Sequence, residues 1–404
     1  MQLSTLPQEI KQYLIVTANY WTFTLTDGAL RMLVVLYFHQ LGYNGLEIAM
    51  LFLFYEIFGV VTNLVGGWLG ARIGLNRTMN IGLALQVVAL LMLVVPVNYL
   101  SVAYVMAAQA LSGVAKDLNK MSAKSAIKAI VKSGEEGTLF KWVAILTGSK
   151  NALKGVGFFL GGVLLTLLGF AGAMWLMAAV LLVVWLYSVM KLKSELGKAK
   201  AKPKFSQVFS KSRAINILSA ARLFLFAARD VWFVVALPVY LSQQFNWDHW
   251  WVGSFMAVWV IAYGVVQSST PRYINREHVA RQPKTIAPWA LLLAGVPILI
   301  ALAITASSWQ GSAIIIGLLV FGVVFAINSS LHSYLIVSLA DSEGVSLDVG
   351  FYYMANAMGR LLGTVLSGWI FLEYGLPACL IASSMMLLLA GIISLKLPSR
   401  AALQ

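Results

Sequence analysis

The sequence has few residues suited to covalent cross-linking or metal binding. Its 404 residues contain one cysteine, Cys379, and four scattered histidines. A single cysteine excludes a disulfide within a monomer and a thiolate metal cluster, and the histidines lack ligand spacing. No nucleophile–base arrangement is evident either. We therefore expect a protein that is not an enzyme and that needs no metal or other cofactor.

Charged residues are also scarce. Only 11% of the residues are charged, whereas 60% are hydrophobic and the mean hydropathy is +0.82. Soluble domains carry about 25% charged residues. A water-soluble protein of this composition would expose apolar surface almost everywhere, so the composition indicates a membrane protein.

Long apolar runs make up most of the chain. A membrane-spanning helix takes about 20 residues, and twelve segments reach that length. We therefore predict an all-α membrane protein with twelve transmembrane helices. The predicted spans are 13–38, 47–70, 78–97, 101–122, 138–168, 171–190, 214–241, 250–270, 285–306, 311–338, 349–371 and 375–395.

The basic residues are distributed unevenly along these spans. Of the 29 Lys and Arg residues, 22 lie in the tails, in alternate loops or at the helix ends beside them. The intervening loops, near 39–46, 97–101, 169–172, 242–249, 307–310 and 372–375, contain none. Such an excess is typical of cytoplasmic loops. We therefore expect both termini in the cytoplasm, and we interpret the net charge of +14 as a topology signal rather than a nucleic-acid site.

A basic stretch without apolar periodicity, 191–213, divides six spans from six. We predict an N-terminal six-helix bundle at 1–190, a cytoplasmic linker at 191–213 and a C-terminal six-helix bundle at 214–404. The halves also share weak similarity, which suggests a duplication and two pseudo-symmetric bundles, a known transporter plan. The matching stretches are Thr24–Leu41 with Leu225–Leu241, Gly113–Lys120 with Gly322–Ser329, and Lys154–Gly162 with Arg360–Gly368.

Charged residues inside the predicted spans are the main functional signal. A charge near the bilayer centre costs at least about 2.5–3.5 kcal/mol, so such residues are functional candidates by default. Seven cations and four acids lie there, an excess of three positive charges. That excess predicts a cavity for a multiply charged anion, because Arg and Lys bind phosphate and carboxylate groups. The residues are Arg31, Lys116, Lys150, Lys154, Arg222, Arg229 and Arg360, with Asp27, Glu56, Asp117 and Asp230.

We predict that substrate contacts come from the cations, including Lys120 at the end of its span. The four acids are candidates for proton coupling and equally for structural counter-ions. Local spacing predicts an ion pair between Asp27 and Arg31, four residues apart. Asp117 can reach Lys120 or a cation on another span, and Asp230 can pair with Arg222, Arg229 or a neighbour. The alternative for Lys116 is that its long side chain extends to the interface.

Lysines recur every fourth residue along one face in "AKDLNKMSAKSAIK", which begins at Ala115. We expect the first two, Lys116 and Lys120, to face the substrate cavity. We expect the last two, Lys124 and Lys128, to reach cytoplasmic water.

The segment "GGWLGARIGLNR", Gly66–Arg77, resembles the signature loop of the major facilitator superfamily. That loop reads G-x-L-A-D-R-x-G-R-R, and its usual acid is replaced here by Ala71. The charge latch that this acid forms in many members is therefore not expected in this chain. With twelve spans, a basic linker and repeated halves, the resemblance implies a major facilitator fold.

A closer resemblance covers nearly the whole chain. The strings "NYWTFTLTDGALRMLVVLYFHQLGY", "WVAILTGSKNALKGVGFFLGG", "SKSRAINILSAARLFLFAARDVWFVVALPVYL" and "MANAMGRLLGTVLSGW" are similar to the ArsJ-type organoarsenical efflux permeases. This resemblance implies export of 1-arseno-3-phosphoglycerate across a bacterial cytoplasmic (inner) membrane, which gives arsenate resistance. It also implies functional pairing with the glyceraldehyde-3-phosphate dehydrogenase that makes this ester. A monomer is usual for the superfamily.

Three alternatives remain at the level of sequence. An organic-phosphate or sugar-phosphate antiporter of the same fold needs the same cationic cavity. A membrane receptor would be expected to carry a soluble output domain, and the longest non-spanning stretch here is the central linker. A lipid-modifying enzyme finds no support among the residue motifs.

Overall fold

The fold is seen in a computed structural model that describes residues 8–43, 45–131, 135–192, 196, 198–199, 203–209, 211–247, 249–274, 276–306, 310–341 and 344–399. Over these residues the chain is helical and has no strand, as predicted. The helices are α1 (Gln8–Gln40), α2 (Gly45–Leu51), α3 (Leu53–Ile73), α4 (Leu75–Met92), α5 (Val102–Ile130), α6 (Glu136–Lys191), α7 (Arg213–Phe233), α8 (Ala236–Phe245), α9 (His249–Ser269), α10 (Arg276–Arg281), α11 (Ala287–Ala306), α12 (Gln310–Leu339) and α13 (Val345–Ser394). Short 3₁₀ segments include Val97–Tyr99 and Phe205–Val208.

The two longest helices each contain two predicted spans. Helix α6 has 56 residues and would be about 84 Å long if straight, more than twice a bilayer core. It is interrupted at Gly169 (φ 67°), and α13 is interrupted in the same way at Gly375 (φ 74°). Positive φ is a conformation that glycine adopts at little cost. Both glycines lie in loops that the sequence predicted between spans.

Among the described residues, eight helical segments are long and apolar enough to cross a membrane. Two of the eight are the interrupted helices α6 and α13, which hold two predicted spans each. The helices α1 and α5 are also long, yet they fall outside these eight because their polar residues lower the hydropathy. Both carry charges that the sequence assigned to the site, as do α3, α6, α7 and α13, which are among the eight.

The chain forms two compact units, each with its own packing. The first unit comprises 1–135, 149–210 and 340–354. Within it, α5 packs against α1, α3 and α4. Small residues bring α1 and α6 into close contact, since Gly28 and Gly157 lie against each other's backbone. The polar face of α5 is therefore enclosed by neighbouring helices rather than exposed to lipid.

The second unit comprises 136–148, 211–339 and 355–404. Its central helix is α12, which packs against α7, α9 and α11. Aromatic residues dominate the core, with Trp232, Phe321 and Phe325 almost fully buried. Ring pairs such as Trp232–Phe321, at a centroid distance of 5.1 Å, fix the packing of α7 against α12. The division into two six-helix bundles joined by a linker at 191–213 stays a prediction from the sequence.

The glycine contact between α1 and α6 gives a prediction. A methyl group at Gly157 would lie 2.5 Å from the carbonyl oxygen of Leu25. We therefore expect Gly157→Ala to separate the two helices and to lower the free energy of unfolding by about 1–3 kcal/mol. Thermal unfolding in detergent measures this effect. The matched control is Gly253→Ala in α9, where the added methyl meets nothing within 4 Å. Equal melting temperatures of the two variants would contradict the close contact between α1 and α6.

Candidate functional site

The first unit has a charged cluster built around Asp117 of α5. This carboxylate is almost fully buried, and Lys120 donates to its Oδ1 at 2.5 Å. Lys116 lies one residue before it, with Nζ 3.9 Å from Oδ2. Oδ2 accepts no hydrogen bond from the described residues. One buried acid is thus shared by two lysines, which leaves this cluster with a positive charge. The Asp117–Lys120 pair is one that the sequence predicted.

A second group of ionisable residues in this unit joins α1 to α3. Asp27 accepts hydrogen bonds from the Tyr55 hydroxyl at 2.8 and 3.1 Å. Arg31 pairs with Glu56 at 3.1 Å, and its guanidinium lies 4.8 Å from the Tyr55 ring centroid. The predicted pair between Asp27 and Arg31 is therefore not the one that forms. The side chains of α3 offer each residue a partner across the helix interface, which the spacing along α1 did not reveal.

Tyr55 connects these two groups. Lys116 Nζ lies 3.7 Å from the centroid of the Tyr55 ring, while the hydroxyl of the same residue donates to Asp27. A cation over an aromatic face is stabilised by the ring quadrupole. Tyr55 is not among the residues predicted from the sequence, although its place beside the intramembrane Glu56 was a signal. Its position makes it the residue through which the α1 acid and the α5 lysine are held together.

One of the other two lysines of α5 differs from expectation. Lys124 is almost fully buried and donates to the hydroxyl of Tyr353 on α13, with Nζ 4.6 Å from the ring centroid. Lys128 is half-buried and donates to the carbonyl of Ala340. The expectation that Lys124 reaches water was wrong, because Tyr353 packs within this unit and supplies an acceptor, whereas Lys128 stays partly exposed.

The second unit has a comparable cluster around Asp230 of α7. Asp230 is fully buried, and its two oxygens contact two arginines. Arg229 reaches Oδ1 at 2.5 Å, and Arg360 of α13 reaches Oδ2 at 3.2 Å. The Arg229 guanidinium also lies 4.9 Å from the Phe226 ring centroid. The predicted pairing of Asp230 with Arg229 or a neighbour is confirmed, and again one acid is shared by two cations.

Arg222 lies about two turns before Arg229 on α7, and its hydrogen-bond acceptors are neutral groups. It donates to Asn356 Oδ1 at 2.8 Å and to the carbonyl and hydroxyl of Ser329 at 3.3 and 3.2 Å. Its guanidinium stacks over Phe226 at 4.0 Å from the centroid. With Arg229, Arg360 and Asp230, the four ionisable residues of this region carry a combined charge of +2. Asn356 is a further residue that sequence reasoning missed.

The remaining predicted site residues, Lys150 and Lys154, are half-buried on α6. Their assignment as substrate ligands, like that of the other cations, stays a prediction. No group of three or more His, Cys, Asp or Glu residues suited to a metal ion is present in the part of the chain that the structure describes.

A prediction follows for Tyr55. We expect Tyr55→Phe to lower the free energy of unfolding by about 1–3 kcal/mol, because the buried Asp27 carboxylate loses its hydrogen-bond donor. The ring contact with Lys116 stays. Tyr55→Leu removes the ring as well and is expected to cost more. Thermal unfolding of the purified variants measures both, and identical melting of Tyr55→Phe and the parent protein would show that the bond contributes nothing.

Comparison with known proteins places the fold. Its solved structural neighbours include the human organic anion transporter MFSD10 (TETRAN), with a TM-score of 0.74, 16% identity and coverage of 96% of this chain and 100% of that one. A bacterial homologue of the iron transporter ferroportin in an outward-facing state has a TM-score of 0.74 and 16% identity, with coverage of 97% of this chain and 99% of that one. The E. coli fucose:proton symporter FucP has a TM-score of 0.72 and 12% identity, with coverage of 96% of this chain and 98% of that one.

At these identities the likeness concerns the fold alone. A comparison with curated proteins finds no match. The family profile described as Major Facilitator Superfamily matches residues 14–347, which is more than half of the chain. Together with the helical architecture and the interrupted double-span helices, this match shows that the chain belongs to the Major Facilitator Superfamily.

Proposed function

We propose that this transporter exports the anionic arsenate ester 1-arseno-3-phosphoglycerate from the cytoplasm by alternating access. The observation that carries the proposal is the shared acid in each unit. Asp117 lies between two lysines and Asp230 between two arginines. Counted by themselves, each set of three residues has one more cation than acid, and these cations would attract the anionic groups of a substrate.

The energetic argument concerns burial. Charged groups removed from water must be paired and hydrogen-bonded, or they destabilise the protein by several kcal/mol, on the order of 3–5. A further acceptor group beside the cations around Asp117 and Asp230 would therefore be favourable. A bound phosphate or arsenate group supplies oxygen acceptors and negative charge at once. Binding energy gained in this way favours whichever conformation brings the charges together.

The chemical form of arsenic also bears on the proposal. Trivalent arsenic is bound by sets of thiolates, and the sequence has only Cys379. Pentavalent arsenic in an ester is an oxyanion and suits Arg and Lys. The sequence resemblance to the organoarsenical efflux permeases supports this substrate among the possible organic anions. Arg31, Lys116, Lys120, Arg229 and Arg360 are the proposed ligands, together with Lys150, Lys154 and Arg222.

The four acids take two proposed roles. Asp117 and Asp230 hold cations in place and act as counter-ions. Asp27 and Glu56 contact Tyr55 and Arg31 rather than a surplus of cations. If export is coupled to protons, a carboxylate that exchanges its partner during the cycle is needed, and these two are the proposed candidates.

The proposal includes location and partners. The chain would lie as a monomer in the bacterial cytoplasmic membrane with both termini inside. A glyceraldehyde-3-phosphate dehydrogenase would supply the ester by using arsenate in place of phosphate. Outside the cell the ester would fall apart to arsenate and 3-phosphoglycerate.

The proposal is tested in arsenate-sensitive bacterial cells. Cells with an empty vector, the parent chain or Arg360→Gln are compared at low and high expression of the dehydrogenase, with membrane protein levels matched by immunoblot. The expected result is lower cellular arsenic only with the parent chain, and a larger difference when more dehydrogenase is present. Equal cellular arsenic in all three strains would contradict arsenic export.

The alternative is an organic-phosphate or sugar-phosphate antiporter. The same clusters of two cations around one acid suit any phosphate monoester. Exchange of labelled phosphate for unlabelled 3-phosphoglycerate in vesicles, without any effect of arsenate, would favour this function instead.

A further inference from the structure

A segment of the central basic stretch is fixed against the helices of the first unit. The carbonyl of Leu196 accepts from the amide of Leu75 at 2.8 Å, and the amide of Ala199 donates to the carbonyl of Ala71 at 2.9 Å. Residues 71 and 75 flank the turn between α3 and α4. Leu196 and Ala199 therefore lie against the end of α3 and the start of α4.

The next residues approach the side of α3. The Trp68 indole donates to the carbonyl of Pro203 at 3.0 Å, and the Phe205 ring packs edge-on against Trp68 at a centroid distance of 5.7 Å. Trp68 lies five residues before the last residue of α3, Ile73. At a rise of 1.5 Å per residue this is about 7–8 Å from the helix end. Phe205 thus contacts α3 about one and a half turns before the end of that helix.

The surface of this segment combines exposed aromatic rings with cations. Phe205 is 48% exposed and Phe209 is 60% exposed, and their rings lie 6.4 Å apart, edge to face. The side chains of Lys198, Lys204 and Arg72 are also exposed, and the Arg72 guanidinium lies 5.0 Å from the centroid of the Trp68 ring. The sequence from 196 to 213 contains no acid. An exposed apolar pair within a wholly basic stretch is unusual for a loop in water.

We propose that Phe205 and Phe209, together with Lys198, Lys204 and Arg72, bind the surface of an anionic phospholipid leaflet. The two phenylalanine rings enter the boundary between headgroups and acyl chains, and the cations contact the headgroup phosphates. This arrangement follows the way in which interfacial segments bind membranes, with apolar side chains on one side and Lys or Arg on the other. Trp68 is an aromatic residue of the kind enriched at the same depth. The partner is lipid on the side of the basic loops, independent of the transported substrate.

The lone buried cysteine makes a direct test possible. Ser206 is exposed between the two rings, so Ser206→Cys in a Cys379→Ala background carries one reactive thiol. The full chain, labelled there with a nitroxide, is reconstituted into vesicles of phosphatidylcholine alone or with one quarter phosphatidylglycerol. The accessibility of the nitroxide to oxygen and to a water-soluble nickel chelate reports whether the label lies in lipid or in water.

The expected result is a label that partitions into the interface in the phosphatidylglycerol vesicles and much less in phosphatidylcholine. Lys198→Gln with Lys204→Gln should lower that partitioning by roughly fivefold per lysine, and high salt should lower it in the same direction. Phe205→Ser with Phe209→Ser should abolish it, whereas Phe205→Leu with Phe209→Leu should retain it.

Three outcomes would overturn the proposal. The first is a label that stays accessible to the nickel chelate in both kinds of vesicle. The second is equal partitioning in both lipids with no effect of the lysine changes or of salt. The third is shielding of the label only in native membranes that contain other proteins, which would identify a protein partner instead of lipid.

Discussion

Replacing Asp230 with Asn is expected to destabilise the second unit by about 3–5 kcal/mol. Asp230 is fully buried and is contacted by both Arg229 and Arg360. The substitution keeps the shape of the side chain and removes the charge that these guanidinium groups share. Thermal unfolding in detergent, followed by size-exclusion fluorescence, measures the loss, and transport by the variant is expected to fall to background.

The matched control for this prediction is the double variant Asp230→Asn with Arg360→Gln. It restores the parent charge balance of the cluster and is expected to recover part of the lost stability, although Arg229 still lacks its acid. An Asp230→Asn variant that melts at the same temperature as the parent would show that the shared acid does not hold the cluster together.

Replacing Arg360 with Gln is expected to reduce transport strongly with little loss of folded protein. Arg229 remains to pair with Asp230, so no buried charge is left alone. The Arg360 side chain is 28% exposed while Asp230 is fully buried, so we expect a substrate to reach the side chain of Arg360. Hydrogen bonds to charged groups contribute about 1.5–3 kcal/mol. We therefore expect the apparent affinity for the anionic substrate to fall roughly tenfold to a hundredfold.

The concentration dependence of uptake into vesicles measures that change, with the amount of protein in the membrane determined in parallel. Arg360→Lys is the matched control, since it keeps the charge but loses the planar fork of donors. It should retain more activity than Arg360→Gln. If Arg360→Gln transports with parent affinity, Arg360 is a structural partner of Asp230 and not a ligand.

The helices were predictable from the sequence because the bilayer imposes length and hydropathy on each span. The turns at Gly169 and Gly375 lie in two of the predicted loops that contain no Lys or Arg. The exceptions are α1 and α5, whose polar residues lower their hydropathy below that of lipid-facing helices. The charged residues that lower the hydropathy of these two helices are among the predicted site residues.

The candidate site was less predictable because its geometry depends on contacts between helices. Asp117 with Lys120 follows from spacing on one helix and was confirmed. Arg31 pairs instead with Glu56, which lies 25 residues away on another helix. Burial of Lys124 depends on Tyr353, which is 229 residues away in sequence. No periodicity within a single helix contains that information.

The central claim, export of an arsenate ester, is tested most directly with everted membrane vesicles, which present the cytoplasmic face outward. Arsenic uptake is followed with arsenate alone and then with arsenate, the dehydrogenase, NAD and glyceraldehyde 3-phosphate, with a proton gradient verified in both. We predict uptake only with the complete mixture, and its loss in vesicles that contain Arg360→Gln. Equal uptake of arsenate alone, or no uptake of arsenic under either condition, would contradict the account.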